Sequence, residues 1–597
     1  MRFFSTYRVS GSRSRTTYKI ADTNAIVRPA RLDNFRHGPS AAHGRDALRR
    51  VLDWTFLPGK HKFIGETEIW ELGTRSANLP VRRPVPVQWL PFHETTVAEF
   101  RLVGRLPPMP FDLKNLVATR MGENYDLHTR HLNPTLVDVL RITGFDRVYV
   151  RAEGSYLYDG AGREYLDFLS GYGVFNMGRN HPTIKQAIRD TLDLDLPNMV
   201  QLDCSLLSGL LAEALLKKVP SHLGAIFFCN SGTEAVEGAI KFARAATGRA
   251  KIVSLKGCYH GLSYGSLSVT GSAKFQEGFG PFLSDVARIR LGDIAALEQL
   301  FQTRDVAAFI FEPVQGKGVN FPTDDFFQRA QALCHEYGVL MICDEVQSGM
   351  GRTGKWWAFQ HWGLEPDIMT VAKSLSGGFV PCGAIVTRRT IYQKVFSRLD
   401  RAVVHSSTFG RNNLAMACGL AALQVIENEK LIENSAVVGA KLLEKLDALR
   451  SKHPLIKEVR GKGLMIAIEF HEPPQLGLKL AWRMLHRIDH GLFAQLIIVP
   501  LLSRHRILAQ VAGHDMDVIK ILPPLIISDK EVDYFVKAFD VAVRDCGRFP
   551  GPIVELARNT ALRRFKGRYH RNGAHNPETT LIRQNTLDRN QDAKTVL

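Results

Sequence analysis

The sequence predicts an α/β protein: a large, doubly wound domain on a mostly parallel sheet, with a smaller α/β domain beside it. Two observations carry this. From about residue 225 to residue 371, short apolar runs alternate with segments of helical spacing, and strands separated by helices of that length imply parallel pairing. Two of the runs also end in residues suited to a ligand. Leu340-Met-Ile-Cys-Asp-Glu-Val-Gln347 ends in two carboxylates, and Pro366-Asp-Ile-Met-Thr-Val-Ala-Lys-Ser-Leu-Ser-Gly-Gly378 breaks into a glycine-rich turn with Lys373 at its mouth. In an open α/β sheet, ligands bind outside the carboxyl ends of the strands. Asp344 and Lys373 can therefore face one ligand. A partly desolvated lysine is a candidate Schiff-base former, and the acid is a candidate partner for a pyridinium nitrogen.

Taken in order, residues 1–108 are rich in Arg, Pro, Ser and His and lack a clear period. Three readings stand: an organellar transit peptide, a disordered extension, or a start at Met109 or Met121. Organised sequence begins near residue 109, which favours the latter two and a cytoplasmic location. Residues 109–165 read as the N-terminal segment of the small domain and contain a hairpin over Gly154–Phe168. The large domain follows over 166–425, with strands at Ala225–Cys229, Ile252–Leu255, Val306–Phe311, Val339–Cys343 and Ile368–Val371. Helices are predicted over Ile184–Leu194, Leu206–Val219, Thr233–Ala246 and Phe326–Tyr337. Residues 426–548 complete the small domain with a helix over Ala436–Leu449 and strands at Leu464–Phe470 and Val518–Leu522. A basic tail closes the chain over 549–597.

The net charge of +18 lives mostly in the ends. Residues 1–108 carry a surplus of +9 and residues 556–597 one of +6, which leaves +3 for the body. A phosphate-tracking groove needs basic clustering with aromatic side chains in a folded body, so no nucleic-acid partner is expected. No run reaches the roughly 18 apolar residues of a membrane helix, since Leu492–Leu502 is broken by Gln495 and Pro500; no membrane partner is expected. The eight cysteines show no C-x-x-C and no paired metal spacing. They read as buried thiols of a reducing compartment, with no metal site.

Five stretches carry chemistry. Asn230-Ser231-Gly232-Thr233-Glu234 follows a strand and opens a helix, where free N–H groups and the dipole favour phosphate; the same pattern also serves as an ordinary capping box. Cys258-Tyr259-His260-Gly261 puts an aromatic at a strand end, able to stack on a flat ring or simply to fill core. Asp344 is costly to bury unless paired, so a structural ion pair is its other reading. Lys373 stands out by its position after Asp344. His405-Ser-Ser-Thr408-Phe-Gly410 is a hydroxyl-rich loop suited to a second grip on phosphate. Gly349-Met-Gly351-Arg-Thr-Gly354 matches a dinucleotide fingerprint in letters only, because it runs into Lys355-Trp-Trp-Ala rather than opening a helix.

Together with Glu312-Pro-Val-Gln-Gly316, these stretches closely resemble, in their order, the class III pyridoxal-phosphate aminotransferases, which include ornithine, acetylornithine and putrescine aminotransferases. The resemblance covers roughly residues 125–545. It implies fold type I, pyridoxal 5'-phosphate as cofactor, and a homodimer with shared active sites. Carried over, Lys373 holds the cofactor and Asp344 its pyridine nitrogen. Val346 and Tyr259 flank the ring, with His260 beside it and Gln347 near the phenolic oxygen. Ser231, Gly232 and Thr233 hold the phosphate, joined by Thr408 from the second subunit, and Glu237 supports the Asp344 side. Arg460 matches an arginine that binds a substrate α-carboxylate, and Tyr172 matches a substrate-site tyrosine.

Two departures bear on substrate. Leu262 stands where ornithine-type members place an arginine, and Lys317 where they place a glutamate. A cation at Lys317 near Arg460 implies an anionic or unusual group between them. The expected reaction passes an amino group from an amine or amino acid to a 2-oxo acid. A same-fold aminomutase, racemase or decarboxylase is the alternative, and a non-catalytic scaffold using the basic ends is a third reading.

Overall fold

The computed structural model describes residues 111–199, 203–473, 476–487, 491–513 and 516–547. The expectations for residues 1–108 and for the basic tail lie outside the described residues.

A seven-stranded sheet forms the centre. Its strands are β4 (Leu223–Cys229), β5 (Lys251–Leu255), β6 (Val286–Ile289), β7 (Val306–Phe311), β8 (Leu340–Asp344), β9 (Ile368–Val371) and β10 (Gly383–Arg388), in the order β4-β10-β9-β8-β7-β5-β6. All pairings are parallel except those of β10, which is antiparallel to both β4 and β9. β7 and β9 are buried at every position, as expected for strands covered by helices on both faces. Parallel register sets Asp344 at the end of β8 beside Thr370 of β9. Lys373 follows β9 by two residues, so acid and lysine emerge from neighbouring strand ends.

Two smaller sheets flank this one in the chain. β1 (Tyr149–Glu153), β2 (Tyr156–Asp159) and β3 (Glu164–Asp167) form a meander, which includes the predicted hairpin. β3 also pairs in parallel with β13 (Ile507–Leu508), from near the other end of the described chain. The third sheet is antiparallel, in the order β11 (Ile456–Lys462), β12 (Met465–Phe470), β15 (Val518–Ile521) and β14 (Gln510–Val511). The apolar stretch near residue 500 is a helix, Leu492–Ser503, buried along most of its length with Pro500 inside it. No helix among the described residues is long and apolar enough to cross a membrane. Seven of the eight cysteines are buried as expected; Cys204 is exposed.

Arg352, inside the stretch that mimicked a dinucleotide fingerprint, is a structural hub. Its guanidinium is fully buried and donates to Leu464 O (3.0 Å), to Asn176 Oδ1 (2.6 Å) and to Pro523 O. It thereby ties the third sheet to the loop that precedes the helix Pro182–Asp193. Burial lowers its pKa, but the guanidinium keeps its charge. Losing one partner of a buried hydrogen bond costs about 1–3 kcal/mol, and three acceptors depend on this group. Arg352→Met is therefore expected to lose about 3 kcal/mol of stability, read as a lower urea midpoint with unchanged slope.

Candidate active site

The helix Gly232–Thr247 begins directly behind β4. Its N-cap is Ser231, whose hydroxyl accepts from Glu234 N (3.3 Å). Glu234 folds back to accept from the backbone and side-chain amides of Asn230 (2.9 and 3.0 Å), and Asn230 Nδ2 also donates to Ser407 Oγ (2.9 Å). The capping reading and the anion reading therefore hold together: the cap stiffens the turn, while helix geometry leaves the N–H groups of Gly232 and Thr233 without intrahelical partners. Glycine is required at 232 because a Cβ there would meet Val346 at 2.9 Å. A Cβ on Gly261 would meet Thr233 Oγ1 at 2.5 Å. The Val346 and Thr233 side chains thus pack tightly against the backbone of the cradle.

Asp344 is 4% exposed and fully partnered. Its carboxylate accepts from His260 Nδ1 (2.7 Å), from Thr370 Oγ1 (2.9 Å) and from Val346 N (3.1 Å). His260 Nε2 is buried with no protein partner. Lys373 opens a single 3-10 turn in left-handed backbone, φ +49°, a conformation that a lysine adopts only under constraint. Burial lowers its amine pKa, against the opposing charges of Asp344 and Glu312. Glu312 accepts from Tyr259 N (2.9 Å) and Gly316 N (2.7 Å), and burial raises its pKa.

Lys373, Asp344, His260 and Glu312 line one cavity of about 1340 Å³, with Ser231, Gly232, Thr233, Tyr259, Val346 and Gln347 on its walls. The donor set fits pyridoxal phosphate: a helix N-terminus for phosphate, a buried carboxylate for the ring nitrogen, an aromatic and a β-branched side chain for the ring faces, and a depressed lysine. Leu262 and Tyr172 stand about half exposed at the same cavity.

Three expectations need correction. Glu237 does not reach Asp344. Its Oε1 accepts from Ser263 Oγ (2.6 Å), Gly265 N (2.7 Å) and Ser266 N (2.9 Å), so it caps the short helix Tyr264–Val269; His260 occupies the supporting place beside Asp344. Arg460 does not line the cavity. It pairs with Glu469 (2.5 Å) and Glu458 (2.9 Å), donates to Gly318 O (2.7 Å), and lines a separate polar cleft. Lys317 lines the main cavity instead, its amine 4.5 Å from the Phe275 ring centroid and 5.5 Å from that of Tyr259. The expected anion between Lys317 and Arg460 has no place, because the two line different clefts and two carboxylates already neutralise Arg460. Thr408 is exposed and lies outside the cavity lining of its own chain.

A further cation at the cavity, beside Lys317 and Lys373, is Lys520. Ala467 is the register partner of Arg460 on one side and of Lys520 on the other, so all three share a face. Arg460 sits two strands away from Lys520, about 10 Å at ordinary strand spacing. Lys520 Nζ donates to Gly316 O (2.5 Å) and Gln347 Oε1 (3.1 Å), while Gln347 Nε2 donates to Tyr172 O (3.0 Å). The one signal in the sequence was a lone lysine inside the apolar strand Val518-Ile-Lys-Ile.

Glu345, next to Asp344, is also buried and has its pKa raised to about 7, chiefly by desolvation. It accepts from Phe359 N (2.8 Å) and Ser348 Oγ (2.8 Å). An acid raised in the folded state disfavours folding once the unfolded chain can ionise. The cost is absent below the ordinary value of 4.5, grows as pH rises to 7, and is complete above that. Glu345→Gln is expected to leave stability unchanged at pH 4 and to raise it by about 3 kcal/mol at pH 8, read from urea melts at both pH values.

A family model described as Aminotransferase class-III matches residues 142–543. The aminotransferase PigE of Serratia sp. (strain ATCC 39006) is 34% identical over 565 residues, which cover 89% of this chain and 65% of that protein. The chain thus spans about two thirds of that relative's length. The acetylornithine aminotransferase of Bacillus subtilis (strain 168) is 37% identical over 66% of this chain and 94% of its own. Among solved structures, an amine transaminase from an uncultivated Pseudomonas species, in its pyridoxal-phosphate-bound form, is 30% identical with a TM-score of 0.61, covering 67% of this chain and 95% of that one.

Proposed function

The chain belongs to the class-III aminotransferase family, and from that membership we propose that it moves an amino group from an amine or amino-acid donor to a 2-oxo acid, with Lys373 as the covalent anchor of pyridoxal phosphate. The observation that carries the reading is the meeting of Lys373, Asp344 and the Ser231–Thr233 cradle in one cavity. When bound, the cofactor supplies an electron sink that stabilises negative charge on the carbon bearing the amine.

The chain's own residues do the rest. Ser231, Gly232 and Thr233 hold the phosphate. Asp344, fixed by His260 and Thr370, keeps a proton on the ring nitrogen. Val346 and Tyr259 orient the ring between them. Lys373 would anchor the cofactor covalently, and its Nζ, when free, would take the proton from the donor carbon and give it back to complete the exchange. Its lowered pKa leaves more free base for that task near neutral pH.

An aminomutase, racemase or decarboxylase would use the same cofactor residues. The family match and the relatives above, all named as transaminases, favour net transfer. The deciding experiment is a donor screen with pyruvate and 2-oxoglutarate as acceptors. Formation of alanine or glutamate together with a carbonyl product is expected, and racemisation or decarboxylation without amino transfer would overturn the reading.

The active unit on this reading is a homodimer with shared sites. Leu399, Val403 and Phe409 are exposed around Thr408, and a second subunit covering them would bring its Thr408 to the phosphate. Light scattering of the holoenzyme is expected to give twice the chain mass; the mass of a single chain would contradict the dimer. Eight unpaired cysteines fit a reducing, cytoplasmic location, which fractionation of the source cells would test.

A further inference from the structure

We propose that Lys317 and Lys520 together form the subsite that receives a carboxylate of the substrate, and that this subsite takes up a proton as the carboxylate enters. The inference rests on the reading of Lys373 as the cofactor lysine, and it concerns only what the cavity selects.

Both amines line the cavity that holds Lys373, and among the described residues no carboxylate pairs with either of them. Lys520 is 5% exposed, and its two partners are neutral oxygens, Gly316 O and Gln347 Oε1. Lys317 lies over the rings of Tyr259 and Phe275, an arrangement that attracts a cation without neutralising it.

The charges facing Lys520 are three cations, Lys373, Lys317 and Arg352, and one carboxylate, Glu312. Glu312 is shared among the three lysines, and its oxygens are already occupied by the N–H groups of Tyr259 and Gly316. Asp344 faces Lys373 but is committed to His260 and Thr370. The cavity is therefore short of negative charge at this end. Burial, reinforced by Lys373 and Lys317, brings the Lys520 pKa down to about 7, and burial lowers Lys317 as well. Near neutral pH, Lys520 is easily emptied of its proton.

An incoming carboxylate reverses that balance. It supplies the missing opposite charge, favours the ammonium form, and draws one proton from solvent onto the pair. Elsewhere the lining includes Val139, Ile142, Val174, Leu492 and Val511, which offer an anion nothing. A substrate carboxylate is thereby directed to the Lys317–Lys520 end, while an uncharged group can enter without forcing protonation of the pair. One site can then serve a carboxylic and a non-carboxylic partner in turn.

The test uses the holoenzyme and compares KM for pyruvate with KM for propanal, an acceptor that needs the same cofactor chemistry but has no carboxylate. In the wild type the ratio of pyruvate to propanal KM is expected to rise about tenfold between pH 7 and pH 9, because Lys520 loses its proton over that range. Lys520→Gln removes a charge-assisted contact and is expected to raise the ratio at pH 6.5 by roughly tenfold or more. Lys520→Arg keeps its charge at every pH tested and is expected to hold the ratio low and flat. Lys317→Gln, at a less buried position, gives a second variant should Lys520→Gln fail to fold, and it is expected to move the ratio in the same direction. The proposal is overturned if neither Gln variant changes the ratio, if both KM values rise together, or if Lys520→Arg keeps the wild-type pH dependence. Loss of the cofactor's visible band in the wild type would instead sink the assignment of Lys373.

Discussion

Lys373→Ala is expected to abolish steady-state amino transfer, lowering kcat by roughly six orders of magnitude, the scale seen when a covalent nucleophile is removed. The variant loses both the covalent anchor and the amine that moves the proton, and no second group in the cavity replaces them. Lys520 and Lys317 are nearby amines, but Lys520 is tied to Gly316 O and Gln347 Oε1, and Lys317 lies over two rings. The cradle at Ser231–Thr233 is untouched, so the protein is expected to keep its fold and to bind the cofactor without a covalent bond. A coupled assay with the best donor from the screen reads the loss. Turnover within a hundredfold of wild type would contradict the role given to Lys373.

Asp344→Asn is expected to lower kcat by ~10²–10³-fold, the usual loss when one preorganised electrostatic partner is removed. An amide keeps the size and most of the hydrogen bonds to His260, Thr370 and Val346, but it cannot hold a proton on the ring nitrogen by charge. The stopped-flow rate of the donor half-reaction isolates the effect, with substrate binding little changed. A half-reaction at wild-type speed would mean that His260, not Asp344, governs the ring nitrogen.

Much of the centre was legible in the sequence because its signals are local. Strand ends announce themselves by an apolar run meeting Asp344, Asn230 or the turn at Lys373, and parallel pairing follows from the helices between. β10 escaped notice: its run Gly383-Ala-Ile-Val-Thr-Arg388 sits just past the glycine-rich turn, and its antiparallel placement between β4 and β9 depends on strand order, which spacing does not encode. The substrate end failed for the same kind of reason. Arg460 and Lys520 are 60 positions apart in sequence, yet they flank Ala467 in one sheet, and only that sheet's order decides which of them reaches the cavity. Glu237 was misplaced because a carboxylate one turn into a helix can face several loops, and here it caps the one beginning at Ser263.

The central claim is that Lys373, among three lysines at one cavity, carries the cofactor. Borohydride reduction of the holoenzyme followed by peptide mass mapping tests it most directly. The account predicts a phosphopyridoxyl group on Lys373 alone, near full occupancy. The same label on Lys520 or Lys317, or an unmodified Lys373 in protein that had shown the visible band, would contradict it.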